Sequence, residues 1–200
     1  YDSRHKILNN FNKNIKKNTI VGITGNSGAG KTTLIHVLSG ILKPTSGEIL
    51  INNNYKLQDL QNWTDKIAYV SQKPFMMDSS IRDNVCLGEN EDFYNKRFLS
   101  EIYFQSGLSD FIDSLEIKDL TKVGEEGNFV SGGQIQRIGI ARALYKKAQV
   151  FLLDEITSNL DDGIKNKILE NLINLKKDRI ILLISHDKKI LYYCDDYAKL

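Results

Sequence analysis

The sequence of 200 residues has few cysteines and prolines, two of each, and no long apolar run. Cys86 and Cys194 lie far apart and belong to no C-x-x-C pair, which excludes a disulfide framework and a zinc site built on paired cysteines. The longest apolar runs, such as Ile180–Ile184, are far shorter than the roughly 20 residues that a membrane-spanning helix needs. No part of this sequence is therefore expected to span a membrane.

The sequence also lacks an excess of charge, because 27 Lys and Arg residues face 25 Asp and Glu residues. Binding of nucleic acid through bulk positive charge is therefore not expected. A hydrophobic content of 41% excludes a disordered chain, and the length predicts one domain over residues 1–200. Because the sequence begins at Tyr1 without a signal-like segment, we expect it to be a piece of a longer chain.

Short apolar runs and helical patterns alternate along most of the chain. This alternation predicts a mainly parallel sheet that is covered by helices. Between residues 79 and 120, apolar residues recur every three or four positions, which is typical of helices. We expect residues 79–130 to form a helical subdomain inserted into the core.

Glycines cluster in residues 25–32, GNSGAGKT, between an apolar run and a helical pattern. The stretch fits G-x-x-x-x-G-K-[ST], in which backbone N–H groups and the following helix N-terminus surround phosphate oxygens. We expect Lys31 to reach the β- and γ-phosphates and the Thr32 hydroxyl to ligate Mg²⁺. The residues predicted to bind nucleotide are those of this stretch and the residue after it, namely Gly25, Asn26, Ser27, Gly28, Ala29, Gly30, Lys31, Thr32 and Thr33.

Two acids follow an apolar run in residues 150–155, VFLLDE. A carboxylate at the end of a buried strand is the hard oxygen partner that Mg²⁺ needs beside phosphates. Asp154 is expected to hold the metal, directly or through water. Glu155 is expected to act on the water that attacks the γ-phosphate, as general base or as the group that orients and polarises it.

The sequence SGGQ at residues 131–134 opens a helical pattern before the acidic strand. Here the chain resembles the ATP-binding cassette family, whose signature has a leucine before SGGQ, where this chain has Val130. The resemblance implies an α/β P-loop NTPase with a mainly parallel sheet core, an antiparallel β subdomain and a helical insertion subdomain. It also implies a head-to-tail dimer, in which the residues that contact the ATP bound by the other domain are Ser131, Gly132, Gly133 and Gln134.

Four further positions match the family in the expected order. Gln72 matches the glutamine that contacts Mg²⁺ and the attacking water, and His186 matches the histidine that contacts the γ-phosphate. Asp161, in SNLD, matches the acid that crosses the dimer interface, with Asn159 in place of the usual alanine. Tyr1 stands where the family has an aromatic side chain that stacks on adenine.

The resemblance therefore implies an ATPase with ATP and Mg²⁺ as its cofactors. The implied catalytic residues are Lys31, Gln72, Glu155 and His186, and the implied metal ligands are Thr32, Gln72 and Asp154. Residues 71–85 (SQKPFMMDSSIRDNV) and 121–127 (TKVGEEG) resemble exporter sequences. The implied function is to power the export or flipping of a lipid, a lipid-linked saccharide, a peptide or a drug across a membrane.

The implied partners are a second nucleotide-binding domain, as a homodimer, and a transmembrane domain fused N-terminally, with no nucleic acid. The expected location is the cytoplasmic face of a membrane, the bacterial inner membrane.

The ATPase subunit of an importer, or a P-loop ATPase without a transport role, remains the alternative. Assignment to the adenylate-kinase-like enzymes or to the GTPases would explain residues 25–32 but would give no reason for SGGQ. A regulator that no longer hydrolyses ATP would usually lack Glu155, His186 or part of SGGQ.

Overall fold

The computed structural model describes residues 7–87, 95–158 and 160–200. These residues divide into two compact units. The first unit contains residues 7–69, 148–154 and 176–200, and the second contains residues 70–147 and 155–175 apart from the undescribed positions. Among the described residues, no helix is both long enough and apolar enough to cross a membrane.

The described residues form strands and helices in alternation. The strands are β1 (Thr19–Thr24), β2 (Leu50–Ile51), β3 (Tyr55–Lys56), β4 (Ile67–Val70), β5 (Val150–Asp154), β6 (Ile180–Ile184) and β7 (Asp196–Lys199). The α-helices are α1 (Lys31–Leu38), α2 (Trp63–Lys66), α3 (Ile81–Cys86), α4 (Lys96–Gln105), α5 (Ser109–Asp113), α6 (Gly132–Tyr145), α7 (Asp162–Leu175) and α8 (Lys188–Leu191).

A five-stranded sheet in the order β4-β5-β6-β1-β7 is the centre of the first unit. Strand β6 pairs in parallel with β5 and β1, and β1 also pairs in parallel with β7. Strands β5 and β6 are apolar along almost their whole length and largely buried, as expected for the interior of a parallel sheet. The predicted mainly parallel core is confirmed.

One face of this sheet is covered by α1. Leu34 and Ile35 of α1 pack in a buried cluster with Ile23 of β1 and Leu182 of β6. Burying these side chains stabilises the fold by roughly 1.5–3 kcal/mol for each fully buried side chain. The same contacts fix the first turn of α1 beside the end of β1, where the glycine-rich loop lies.

Strands β2 and β3 form a separate antiparallel hairpin, with Leu50 opposite Lys56 and Ile51 opposite Tyr55. The connection contains Asn52 and Asn53 with φ of 53° and 60°. Asparagine tolerates this left-handed conformation better than most residues, so the local sequence favours the turn. The expected antiparallel β element is therefore present.

The second unit is helical. Helices α3, α4 and α5 lie within residues 79–130, where the apolar spacing predicted helices. Helix α6 is buried along most of its length, with Ile138 and Ala141 fully enclosed. The bounds of the inserted subdomain, residues 79–130, stay a prediction.

Candidate functional site

The glycine-rich loop connects β1 to α1 in the first unit. Gly28 and Gly30 have φ of 80° and 94°, a left-handed backbone in which a side chain is strained. A Cβ atom on Gly30 would also lie 2.7 Å from Cγ2 of Ile7. Two glycines of the motif are thus required by backbone conformation, and one of them also by close packing.

Lys31 is the first residue of α1 and its side chain turns back over the loop. Its Nζ donates hydrogen bonds of 2.9 Å to the carbonyl oxygens of Gly25 and Asn26. Lys31 is only 8% exposed, so the charge lies close to the loop backbone. A lysine ammonium beside a helix N-terminus forms a positive site that suits phosphate.

Thr32 and Asp154 meet at the carboxyl edge of the sheet. The Thr32 hydroxyl donates a 3.0 Å hydrogen bond to the Asp154 carboxylate, which is 7% exposed at the end of β5. Parallel register places Asp154 beside Ile184 and Ile184 beside Ile23, so β5, β6 and β1 end at one level. A hydroxyl and a carboxylate are hard oxygen donors, and this pair fits Mg²⁺.

Asp154 has a neighbour that the sequence did not point to. Tyr69 lies on β4, half-buried, and burial together with the negative charge of Asp154 raises the pKa of its phenol. Tyr69 therefore stays a neutral hydrogen-bonding group beside Asp154 at physiological pH. Its ring also meets the His36 ring edge-to-face, at 5.7 Å between centroids. The one sequence feature that could have indicated Tyr69 is its position as a polar aromatic residue within an otherwise apolar strand.

His186 follows β6 and is exposed. The turn around it is ordered by Ser185, whose hydroxyl accepts a 3.1 Å hydrogen bond from the Asp187 backbone N–H. Asp187 in turn caps α8 by accepting from the Lys189 N–H at 2.9 Å. His186 thus occupies a constrained turn at the same edge of the sheet as Asp154.

Gln72 and Glu155 lie together in the second unit. Nε2 of Gln72 donates a hydrogen bond to Oε2 of Glu155, with 3.0 Å between the two atoms. The two residues are 83 positions apart in sequence. Two predicted catalytic residues are therefore in direct contact.

Glu155 has an unusual backbone, with φ of 49°. A left-handed conformation costs a non-glycine residue on the order of 1–3 kcal/mol and is retained where neighbouring contacts impose it. Here the contacts come from Ser158, whose backbone N–H and hydroxyl both donate to the Glu155 carbonyl, at 3.2 Å and 3.0 Å. The sequence placed Ser158 in the SNLD loop but predicted no role for it, although serine hydroxyls commonly bond the backbone in turns.

The SGGQ residues form the N-terminus of α6. The Ser131 hydroxyl accepts from the Gln134 N–H at 3.3 Å, and the Gln134 side-chain oxygen accepts from the Ser131 N–H at 2.7 Å. This reciprocal pair is a capping box. Ser131 and Gly132 are exposed, so the positive end of this 14-residue helix is accessible.

Asp161 caps the other long helix of this unit. Its Oδ1 atom accepts a 3.0 Å hydrogen bond from the N–H of Ile164 in α7. Burial lowers the pKa of the Arg137 guanidinium in α6, and the negative charge of Asp161 partly offsets this effect. The predicted adenine-stacking residue Tyr1, and the departure from the family at Asn159, lie outside the described residues.

Comparison with protein-family models gives a match to residues 8–158, and the matched family is described as ABC transporter. The chain belongs to the ABC transporter family. The resemblance seen at residues 131–134 is thereby confirmed, and so is the P-loop NTPase fold.

This ABC domain is similar to exporters in particular. It is 41% identical over 193 residues to an export ATP-binding/permease protein of Rickettsia typhi, covering 93% of this chain and 32% of that protein. It is 36% identical over 192 residues to an ABC transporter ATP-binding/permease protein of Haemophilus influenzae, covering 95% and 34%. The solved structure of a bacterial Atm1-family ABC exporter with ATP bound matches with a TM-score of 0.93 and 28% identity, over 100% of this chain and 35% of that one.

The chain spans about a third of the length of these relatives. It is an ABC ATP-binding domain of the exporter type, in a family that hydrolyses ATP to power transport. The predicted class of enzyme and the predicted exporter type are confirmed at the level of the family. The roles of the individual site residues stay predictions.

Proposed function

We propose that this ABC domain binds ATP together with Mg²⁺ and hydrolyses the γ-phosphate. The observation that carries the proposal is the 3.0 Å contact of the Thr32 hydroxyl with the Asp154 carboxylate, directly beside the glycine-rich loop. These two oxygens would hold Mg²⁺, with Gln72 as a further ligand. When bound, the ion neutralises charge that develops on the phosphate oxygens.

Lys31 and the loop backbone are the proposed phosphate-binding groups. In their present arrangement, the Lys31 ammonium is held by the carbonyl oxygens of Gly25 and Asn26. These contacts hold the cation at the loop, where it stabilises negative charge on the β- and γ-phosphates. N–H groups of residues 25–33 donate to the same phosphates.

Glu155, Gln72 and His186 are the proposed groups that act on the attacking water. The Glu155 carboxylate accepts a hydrogen bond from the water and polarises it for in-line attack. Gln72 holds the Glu155 carboxylate through its amide, and this pairing limits the directions in which the carboxylate can point. His186 contacts the γ-phosphate and supports the same geometry.

A head-to-tail dimer is the second part of the proposal. The capped and exposed N-terminus of α6 presents Ser131, Gly132, Gly133 and Gln134 without a negatively charged side chain in its first turn. Such a helix end attracts an anion, and we propose that it receives the γ-phosphate of an ATP bound by a second copy of the chain. Asp161 lies at the same dimer interface.

The third part of the proposal is that ATP-driven closing and opening of this dimer moves a transmembrane domain. Two large aromatic side chains of the second unit support a docking role, since Phe75 is 71% and Phe129 is 73% exposed. Phe75 lies within the exporter-like segment 71–85, and Phe129 follows segment 121–127 by two residues. The transmembrane domain is proposed to be fused N-terminally, with this domain at the cytoplasmic face of a bacterial inner membrane.

Substitution Glu155→Gln tests the hydrolytic part. The amide keeps the size of the side chain but cannot accept a proton, so we expect turnover to fall by about 10²- to 10⁴-fold. Affinity for ATP, measured with a fluorescent analogue, should stay within a factor of about two, because phosphate binding depends on Lys31 and the loop. Near-normal turnover in Glu155→Gln would contradict the proposed role.

The same variant tests the dimer. With ATP and Mg²⁺ and without hydrolysis, Glu155→Gln should accumulate as a dimer in light scattering. Ser131→Glu places a negative charge at the proposed phosphate contact, so Glu155→Gln with Ser131→Glu should remain monomeric. A persistent monomer of Glu155→Gln at high concentration and saturating ATP would overturn the dimer proposal.

A further inference from the structure

One face of α6 is lined by Gln136, Gly139 and Arg142, which are spaced three residues apart. Residues at this spacing follow one side of a helix. Each of the three contacts a different point of segment 71–75, which contains Gln72. We call these three residues the α6 seat.

The first two members of the α6 seat bring the helix close to the segment. Gln136 is 1% exposed, and its amide donates a long hydrogen bond of 3.4 Å to the carbonyl oxygen of Ser71. At Gly139, an added Cβ atom would lie 2.6 Å from Cγ and 2.9 Å from Cβ of Pro74. Real Cβ contacts are not this short, so any side chain at position 139 displaces Pro74.

Arg142 holds the far end of the segment. Its guanidinium donates to the Phe75 carbonyl at 2.9 Å, to the Asn84 carbonyl at 2.7 Å and to the Asn84 side-chain oxygen at 3.2 Å. Asn84 is fully buried and also exchanges hydrogen bonds with Met77, at 2.9 Å and 3.1 Å. One half-buried arginine thus ties the segment and the last turn of α3 to α6.

We propose that the α6 seat is a positioning device for Gln72 in the ATPase reaction, an inference that rests on the proposed function above. Gln72 is exposed and its amide contacts Glu155, but the backbone on both sides of it is held by α6. The seat therefore sets where the Gln72 amide lies, and none of its three residues contacts the reacting atoms. Because Ser131 caps the N-terminus of α6, a shift of this helix is transmitted both to the SGGQ residues and to Gln72.

Gly139→Ala tests the seat, because the added methyl group displaces Pro74. Misplacement of a positioned group by about 1 Å can reduce rate up to 10²-fold, so we expect kcat to fall by roughly 10- to 100-fold. Affinity for an ATP analogue should stay unchanged, since it depends on Lys31. Pro74→Gly removes both clashing atoms, so the double variant should regain kcat relative to Gly139→Ala alone. Gln136→Met, which keeps the size and loses the donor, is the second test if Gly139→Ala does not fold.

A cycle with Gln72→Ala distinguishes positioning from general damage. If the seat acts through Gln72, adding Gly139→Ala or Gln136→Met to Gln72→Ala should cause no further loss of kcat. Arg97→Lys changes an exposed arginine of α4 and should leave kcat unchanged. If the fold-loss of kcat in the double variant equals the product of the losses in the two single variants, the positioning role is overturned, while the proposed function still stands. Absence of ATP turnover in the unsubstituted protein would overturn the proposed function and this role together.

Discussion

The side-chain amide of Gln72 donates a hydrogen bond to the carboxylate of Glu155, at 3.0 Å between Nε2 and Oε2. An amide donor can hold one carboxylate oxygen while it leaves the other available to water. The contact also connects the segment that contains Gln72 to the residue that directly follows Asp154, the predicted metal ligand.

Replacement of Gln72 by glutamate should change the pH dependence of turnover. Two carboxylates at hydrogen-bonding distance cannot both ionise easily, so the pair titrates with one raised pKa. If Glu155 must be ionised to act, the acid limb of the kcat profile moves to higher pH in Gln72→Glu. The neutral variant Gln72→Met should lower kcat and leave this limb in place. Identical acid limbs in Gln72→Glu and the unsubstituted protein would argue against an ionised Glu155.

Loss of the Ser158 hydroxyl should affect the reaction more than the fold. The hydroxyl donates to the Glu155 carbonyl and helps to hold a left-handed backbone. A hydrogen bond of this kind contributes about 0.5–1.5 kcal/mol, which corresponds to about 2- to 13-fold in rate if it acts fully on the barrier. We expect a decrease of kcat in this range for Ser158→Ala and recovery in Ser158→Thr. Equal kcat values in the three proteins would show that the backbone N–H of Ser158 is sufficient.

Removal of the Thr32 hydroxyl should lower the affinity of the site for Mg²⁺. Thr32→Val keeps the shape of the side chain but leaves the Asp154 carboxylate without the 3.0 Å hydrogen bond. Loss of one group at a metal site typically reduces affinity by about 10- to 100-fold, and the Mg²⁺ concentration for half-maximal turnover should rise by a similar factor. Thr32→Ser serves as the control with the hydroxyl retained. Unchanged Mg²⁺ dependence in Thr32→Val would remove Thr32 from the metal site.

Asp83 should make stability depend on pH in the acid range. A hydrogen bond from the Ser79 hydroxyl, followed by those from Ser80, holds the pKa of Asp83 below its ordinary 3.8. Its contribution is therefore complete above pH 3.8 and is lost as the pH falls through the lower, folded-state pKa. Asp83→Asn should have a lower Tm near neutral pH and a smaller loss of Tm on acidification. The exposed Asp78→Asn should keep the full acid dependence, and equal slopes in both variants would contradict this assignment.

The strands and helices around the site were predictable because local composition specifies them. The apolar run before Asp154 predicted a buried strand, and β5 covers Val150–Asp154. SGGQ opened a predicted helical pattern, and its serine and glutamine form the capping box of α6. In each case the decisive contacts join residues that are close in sequence, so the residue types are sufficient to predict them.

Contacts between distant segments were not predictable in this way. The Gln72 amide and the Glu155 carboxylate meet only because two segments 83 residues apart are folded together. The proximity of Tyr69 to Asp154 and the close approach of Gly139 to Pro74 also depend on packing. Close packing of the whole unit decides which side chains are neighbours across a core. The spacing of residues along the chain does not predict these contacts.

The sequence by itself determined the family, the phosphate-binding loop and the chemical types of the site residues, because these depend on short motifs whose backbone geometry is local. Only the tertiary structure decided which of those residues touch, how the Glu155 backbone is held, and which face of α6 carries the segment with Gln72. The physical reason is that a reactive geometry requires positions accurate to a fraction of an ångström. Such accuracy comes from packing and hydrogen bonds between segments, which exist only in the folded chain.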